Sequence, residues 1–319
     1  MRKQLLELTP KHDFFLSMFT GASHYEVNKP RCQYECFNDL DSEFINYLIV
    51  INRNPEEFNE MKKGIFGLVS QEIVNRIVNG EIKPKNNIEK AYFFFYLNKT
   101  CFGGKESKGK RTITPPFFQQ QIEKAKRYRG ITLPTSTKEI NIERYSEPSH
   151  FKGINPKTTR PYSNNDLGLL TPIDPKAIER LRYVNLTCYD FRHVYKLFYK
   201  AFHERKKLSI ECFIYEDPPF PSTEKYYGNM FKPEDHQDLI NLNLDSPFHI
   251  MQSIGGDCQF YLDSYEDAGW FIKEVKTKHS TDAKTQVEIT EYACMNYDIN
   301  KLPKMIIDYQ KDIRSFSND

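Results

Sequence analysis

Four consecutive residues have the chemistry to act on an exocyclic amine: Asp217, Pro218, Pro219 and Phe220. They follow a short apolar, β-prone run, Cys212 to Tyr215, so a buried strand is expected to deliver Asp217 to the end of a sheet. Strand ends are where open α/β sheets place their chemistry. The Asp217 carboxylate can accept one hydrogen bond from an NH2 group on a planar base, and the Pro218 carbonyl a second. Pro219 restrains that carbonyl and brings no competing N–H, while Phe220 offers a flat face for stacking. Two acceptors on one amine draw its nitrogen out of conjugation and aim the lone pair at an electrophile, which is the outline of a methyl-transfer site. Taken alone, the same tetrapeptide also reads as a strand ending in a proline turn, so the surrounding chain has to decide.

The elements that would position such a site are legible on both sides of it. Phe14 to Leu16 reads as a buried strand running into a turn of small residues, Ser17 to Ser23, in which Gly21 lets a ligand approach the backbone. A second run, Tyr34 to Phe37, ends at Asn38-Asp39, and Asp41-Ser42-Glu43 opens a helical pattern carrying Phe44, Tyr47, Leu48 and Ile51. Strand, small-residue turn, strand and acid form a nucleotide-cofactor unit, in which Asp39 would take the ribose hydroxyls. Asp39 also reads as a helix N-cap. Further along, helices are expected over Phe58 to Val78, Asn87 to Asn98, Pro175 to Leu181, Phe191 to Lys207 and Pro233 to Leu242. Strands are expected over Tyr183 to Thr187, with Asp190 just beyond, and over Phe248 to Ser253. Trp270 to Val275 and Val287 to Cys294 suggest a closing hairpin, Leu302 to Phe316 a terminal helix, and Pro221 to Met230 a lid. Alternating strands and helices predict a mostly parallel sheet.

At 319 residues, 39% hydrophobic and 28% charged, the chain suits one large soluble domain or a core with a substantial insertion. Its apolar runs are far shorter than the ~18 residues that span a bilayer. Met1 to Asp13, with Glu7, Lys11 and Asp13, does not read as a secretory signal. Seven scattered cysteines indicate reduced, intracellular usage. Cys32 and Cys36 lack the partners a structural zinc site requires, so no metal is expected. His193 and His236 read as solvated or core residues, and Gly255-Gly256 as a turn. Net charge is only +2, yet Lys99 to Arg129 holds nine Lys or Arg against two acids, interleaved with Phe102, Phe117, Phe118 and Tyr128. Basic residues with aromatic wedges and pliable glycines suit nucleic acid. From Gly130 to Pro175 the chain is rich in Thr, Ser, Asn and Pro, as long functional loops are.

Taken in order, these segments resemble the Dam-like, class alpha DNA adenine methyltransferases. Phe19-x-Gly21 is similar to the family's cofactor loop, and Asn38-Asp39-x-Asp41-Ser42-Glu43 to its second-strand acid. Tyr96-Leu97-Asn98-Lys99-Thr100-x-Phe102-Gly103-Gly104 is similar to the segment leading into its recognition insert, and Asp190-Phe191-Arg192 to the one preceding its catalytic strand. Asp217-Pro218-Pro219-Phe220 matches the catalytic motif, and Glu291 to Asn296-Tyr297 the closing strand. The likeness runs from about Phe14 to Tyr297. Three departures accompany it. Ser17 and Met18 stand where the family has an acid and a proline, and Ser23 where its loop has a final glycine. No Gly-Gly-Lys segment precedes Phe14, so either the cofactor pocket is expected to be completed differently or by a partner chain, or cofactor binding is expected to be weakened. Phe220 replaces the more common Tyr.

The resemblance implies an α/β fold: a Rossmann-like methyltransferase sheet with an inserted target-recognition region. Residues 1–98 would form the cofactor half, 99–175 the basic insert and 176–319 the catalytic half. It implies S-adenosylmethionine as cofactor, double-stranded DNA as partner, no membrane, and a cytoplasmic, bacterial or phage-encoded protein, of the kind found in restriction-modification. A flipped-out adenine would meet Asp217, the Pro218 carbonyl, Pro219 and Phe220. Phe19, Gly21, Ser23, Asp39 and Asp190 would hold the cofactor. Lys105, Lys108, Lys110, Arg111, Lys124, Arg127 and Arg129 would contact phosphates. The other expectation is a catalytically impaired methyltransferase-like DNA-binding protein or partner subunit, favoured by Ser23 and the absent Gly-Gly-Lys segment.

Overall fold

Short runs of aromatic and aliphatic residues form five parallel strands: β1 (Phe14–Ser17), β2 (Tyr34–Asn38), β3 (Val184–Thr187), β4 (Cys212–Glu216) and β5 (His249–Ile254). An antiparallel hairpin of β6 (Phe271–Asp282) and β7 (Thr285–Met295) closes the sheet, with β7 slotted against β5. The resulting seven-stranded sheet has the order β3-β2-β1-β4-β5-β7-β6. This computed structural model describes residues 2–21, 23–64, 70–100, 172–204, 211–224, 230–255, 258–282 and 285–307.

The inner strands are apolar on both sides because both faces of the sheet are covered, as strands of a parallel sheet usually are. Phe15, Phe37, Phe213 and Met251 point to one face, where they join the core of α1 (Arg2–Glu7), α2 (His24–Asn28), α3 (Ser42–Arg53), α4 (Pro55–Met61), α5 (Gln71–Val78), α6 (Asn87–Thr100) and α7 (Pro175–Leu181). Leu16, Ile214 and Ile250 point to the other, against α8 (Phe191–Glu204) and α9 (Pro233–Leu244). Ile254 and Cys294 continue that face against α10 (Gln259–Asp267). The aromatic run of α6 is core: Phe58 of α4 lies 5.4 Å from Tyr92 and 5.5 Å from Phe95, ring centre to ring centre. Each such ring contributes about 1.5–3 kcal/mol through burial.

One buried ionic cluster ties the segments before and after the insert together. Glu35 of β2 accepts from Lys29 at 3.0 Å and is paired by the Arg180 guanidinium of α7. Lys29 also donates to His12 Nε2 at 3.1 Å, and burial and the nearby Lys29 charge hold His12 down at about 3, keeping its ring neutral. Removing either sign from such a cluster leaves an uncompensated buried charge.

The structure departs from the sequence expectations in three places. The helix expected over Phe58 to Val78 is two helices, because Ser70 adopts an extended backbone and its hydroxyl caps Ile73 N at 3.3 Å to start α5 anew. The terminal helix expected from Leu302 is not present over residues 302–307; Lys304 instead forms an antiparallel β-bridge with Pro10, and Pro303 disfavours helix before it. Helices α1, α2 and α10 were not expected from the sequence; α1 packs on α2, with Thr9 Oγ1 2.6 Å from Tyr25 Oη. The closing hairpin is present and longer than its apolar runs suggest, and Asn296 extends its pairing by accepting from Ile250 N at 2.8 Å and donating to Phe248 O at 2.8 Å.

Candidate active site

The chain leaves β1 toward β2 on one side, and after β3 returns through α8 to place β4 on the other side of β1. The order therefore reverses between β1 and β4, and the loops leaving their carboxyl ends must diverge, which opens a crevice. Met18 N donates to Tyr215 O at 3.0 Å, and the two chains separate beyond this tie. Phe19, Thr20, Gly21 and Ser23 lie on one side of the crevice and Asp217 to Phe220 on the other.

Asn38, fully buried at the end of β2, fixes this edge. Its amide donates to Met18 O at 3.1 Å and Tyr189 O at 2.9 Å, and its oxygen accepts from Thr187 Oγ1 at 2.9 Å and Tyr189 N at 3.0 Å. One side chain thus staples the ends of three strands. Asp39 follows, half-exposed, and accepts from Gly21 N at 2.8 Å and from Asp41 N at 2.9 Å. The N-cap alternative for Asp39 is corrected: Asp41 caps α3, accepting from Glu43 N and Phe44 N at 2.9 and 3.1 Å. Asp39 is thereby left facing the β1 loop.

In that loop Gly21 has φ 43°, and a Cβ built on it would meet nothing within 4 Å, so the backbone fronts open space. Ser23 has φ 60°, the left-handed backbone that favours glycine, and its side chain is buried. The conformation a final glycine would give is kept although the residue is serine. Ser17 also has a buried carboxyl group within reach. Ser17 Oγ donates to Glu26 Oε1 of α2 at 2.6 Å, and Thr20 Oγ1 to Ser17 Oγ at 3.2 Å, all three residues being buried. Burial first, and then the Asp217 charge, push the Glu26 carboxyl up to about 8. Phe19 is half-exposed and packs 5.8 Å from Phe191 and 5.9 Å from Phe231.

Across the crevice Asp217 is exposed, Pro218 and Pro219 are buried and Phe220 is half-buried. Beneath them Glu216 is wholly buried: Tyr195 Oη lies 3.0 Å from its Oε1, and Asn243 Nδ2 donates to its Oε2 at 2.7 Å. Burial pushes this carboxyl up to about 7. Phe220 O accepts from Thr223 N at 2.9 Å and Thr223 Oγ1 at 2.6 Å, closing the turn after the motif. Glu224, at the root of the expected lid, lies 2.8 Å from His236 Nε2, whose Nδ1 is 2.8 Å from Tyr261 Oη. His236 is thus a core residue tied to Glu224, while His193 is exposed and packs on Tyr189.

The residues assigned from the sequence divide into three groups. Gly21, Ser23, Asp39 and Asp217 to Phe220 gather at the carboxyl edge of β1, β2 and β4, with Phe19. Asp190 lies on the same edge beyond β3, where its carboxylate accepts from Arg192 N at 2.9 Å and pairs with the Arg192 side chain at 3.2 Å. Lys105, Lys108, Lys110, Arg111, Lys124, Arg127 and Arg129 lie outside the described residues, as does the middle of the expected lid. Glu26, Asn38, Glu216 and Gly255 were missed from the sequence. The polar residues Asn38 and Glu216 at the ends of apolar strands were the available signal for two of them. Gly255 is not simply a turn residue: a Cβ there would fall 2.9 Å from Phe220 Cε2.

No protein-family model matches the chain, and no curated protein sequence matches it. What defines the class is the fold, a mixed α/β protein with a mostly parallel seven-stranded sheet compatible with a Rossmann-like fold. Among the described residues no helix is long and apolar enough to cross a membrane, and no three His, Cys, Asp or Glu gather as a metal site would need.

Proposed function

We propose that this chain is a site-specific DNA methyltransferase that moves a methyl group from S-adenosylmethionine to the exocyclic amine of a flipped-out adenine. The observation that carries the reading is the placement of the Asp39–Gly21 pair and the Asp217-Pro218-Pro219-Phe220 turn at the carboxyl ends of the adjacent strands β2, β1 and β4, at the sheet's switch point. The antiparallel strand slotted between β5 and β6 supports the finer reading of a Rossmann-like methyltransferase sheet. The open space before Gly21 and the half-exposed Asp39 carboxylate beside it fit a nucleoside-bearing cofactor. When bound, that cofactor would supply an electrophilic sulfonium methyl.

This chain's residues do the rest. Asp39 would accept from ribose hydroxyls while its bond to Gly21 N holds the loop in place. The Asp217 carboxylate and the Pro218 carbonyl would accept the two amine hydrogens, and Phe220 would stack on the base. Asp217 would then take up the proton that the alkylated amine releases. Fixed positions, rather than a covalent intermediate, would supply most of the rate. The insert at 99–175 would bring the DNA, against whose stacking the flip costs a few kcal/mol.

Ser23 favours a second reading, an impaired methyltransferase-like DNA-binding subunit, because its buried side chain occupies a glycine-type turn in the loop. Isothermal titration of S-adenosylmethionine into the full chain, with and without unmethylated duplex DNA, separates the two. Binding that Asp39→Ala weakens supports the enzyme; no heat from a folded chain in either titration favours the subunit.

A further inference from the structure

Gly255 follows the last residue of β5, is buried, and does not have the positive φ that would demand glycine. Backbone conformation therefore gives no reason for glycine there, and the reason is space. A Cβ at this position would lie 2.9 Å from Phe220 Cε2, 3.2 Å from Phe220 Cδ2 and 3.1 Å from Glu291 Cγ. Ordinary van der Waals contacts begin at 3.4 Å, so the edge of the Phe220 ring rests where a side chain would otherwise stand.

β5 is the neighbour of β4, so bare backbone at its end lets the ring that follows β4 lean back over the sheet. The backbone that carries the ring is fixed through the Phe220 carbonyl, which accepts from both the Thr223 amide and its hydroxyl. Phe220 is half-buried, so part of the residue remains open to a second group. We infer that Gly255 is a positioning residue that seats the Phe220 ring and so sets the width of the slot in which a base stacks. The inference rests on the proposed methyl-transfer reading for its use of the slot, and on the contact geometry alone for the seat.

The two parts are tested together in the full-length chain. 4-Fluorophenylalanine is placed at position 220, and its fluorine resonance is compared with and without Gly255→Ala. Methyl transfer to unmethylated genomic DNA is measured for the unlabelled wild type, Gly255→Ala, Phe220→Ala and the double variant. The expected result is a displaced resonance and a loss of tenfold or more in kcat/KM for DNA in Gly255→Ala, with S-adenosylmethionine affinity within twofold of wild type. In the Phe220→Ala background, where the space is restored, Gly255→Ala should cost less than twofold. An unmoved resonance overturns the seat. An equal loss from Gly255→Ala in both backgrounds overturns the positioning role. A wild type that transfers no methyl group overturns the reading beneath the inference, and the fluorine comparison still decides the seat separately.

Discussion

Glu26→Gln should make the protein more stable, and increasingly so as pH rises. The wild-type carboxyl is buried under the β1 loop, with its pKa raised from 4.5 to about 8. Because the folded state holds the proton more tightly than the unfolded chain, its contribution is fully present below pH 4.5 and is lost as pH rises through about 8. A tenfold change in proton affinity is worth about 1.4 kcal/mol, so the full difference is roughly 4–5 kcal/mol. Glutamine keeps the shape and an oxygen for the Ser17 hydroxyl but never ionises. Urea denaturation of both chains at pH 5, 7 and 8.5 measures the effect. The variant's advantage should grow by about 1 kcal/mol per pH unit between pH 5 and 8. Asp217→Asn, which removes a charge that raises Glu26, should make the wild-type decline end at a lower pH. Parallel pH profiles for wild type and Glu26→Gln would refute the burial argument.

Three further outcomes follow from the geometry. Ser23→Gly relieves a left-handed backbone at φ 60° and should raise stability by about 0.5–1 kcal/mol in thermal unfolding, while tightening S-adenosylmethionine binding in a titration. Asn38→Ala removes the staple among the ends of β1, β2 and β3 and should cost about 2–4 kcal/mol in urea unfolding, because four hydrogen bonds of one buried side chain are lost. Glu35→Ala leaves Lys29 and Arg180 buried without their carboxylate and should cost about 3–5 kcal/mol in the same assay.

The strands around the crevice were legible because each is a compact apolar run ending in a polar residue, from Phe14 to Ser17 and from Cys212 to Glu216. The hairpin and the Asp39 and Asp217 positions were legible for the same reason. The split between α4 and α5 was harder to read, since Ser70 acts as a cap only through the extended backbone it adopts. Glu26 was invisible because nothing in a single sequence says that a helix residue reaches back to Ser17 nine positions earlier. The crowding at Gly255 was hidden because a glycine after a strand looks like a turn, whereas Phe220, which it meets, is far away in sequence and comes close only once β4 and β5 pair. Asp39 shows the opposite case. Two acids, Asp39 and Asp41, competed for one cap, and the hydrogen bonds assign it to Asp41.

The most direct test of the methyltransferase reading is transfer itself. The full chain is incubated with methyl-labelled S-adenosylmethionine and unmethylated genomic DNA, and the DNA is digested to nucleosides. The account predicts label in N6-methyladenine, lost at least a hundredfold in Asp217→Ala, with the half-saturating cofactor concentration raised in Asp39→Ala. Label in another base, or transfer that survives Asp217→Ala undiminished, would contradict it.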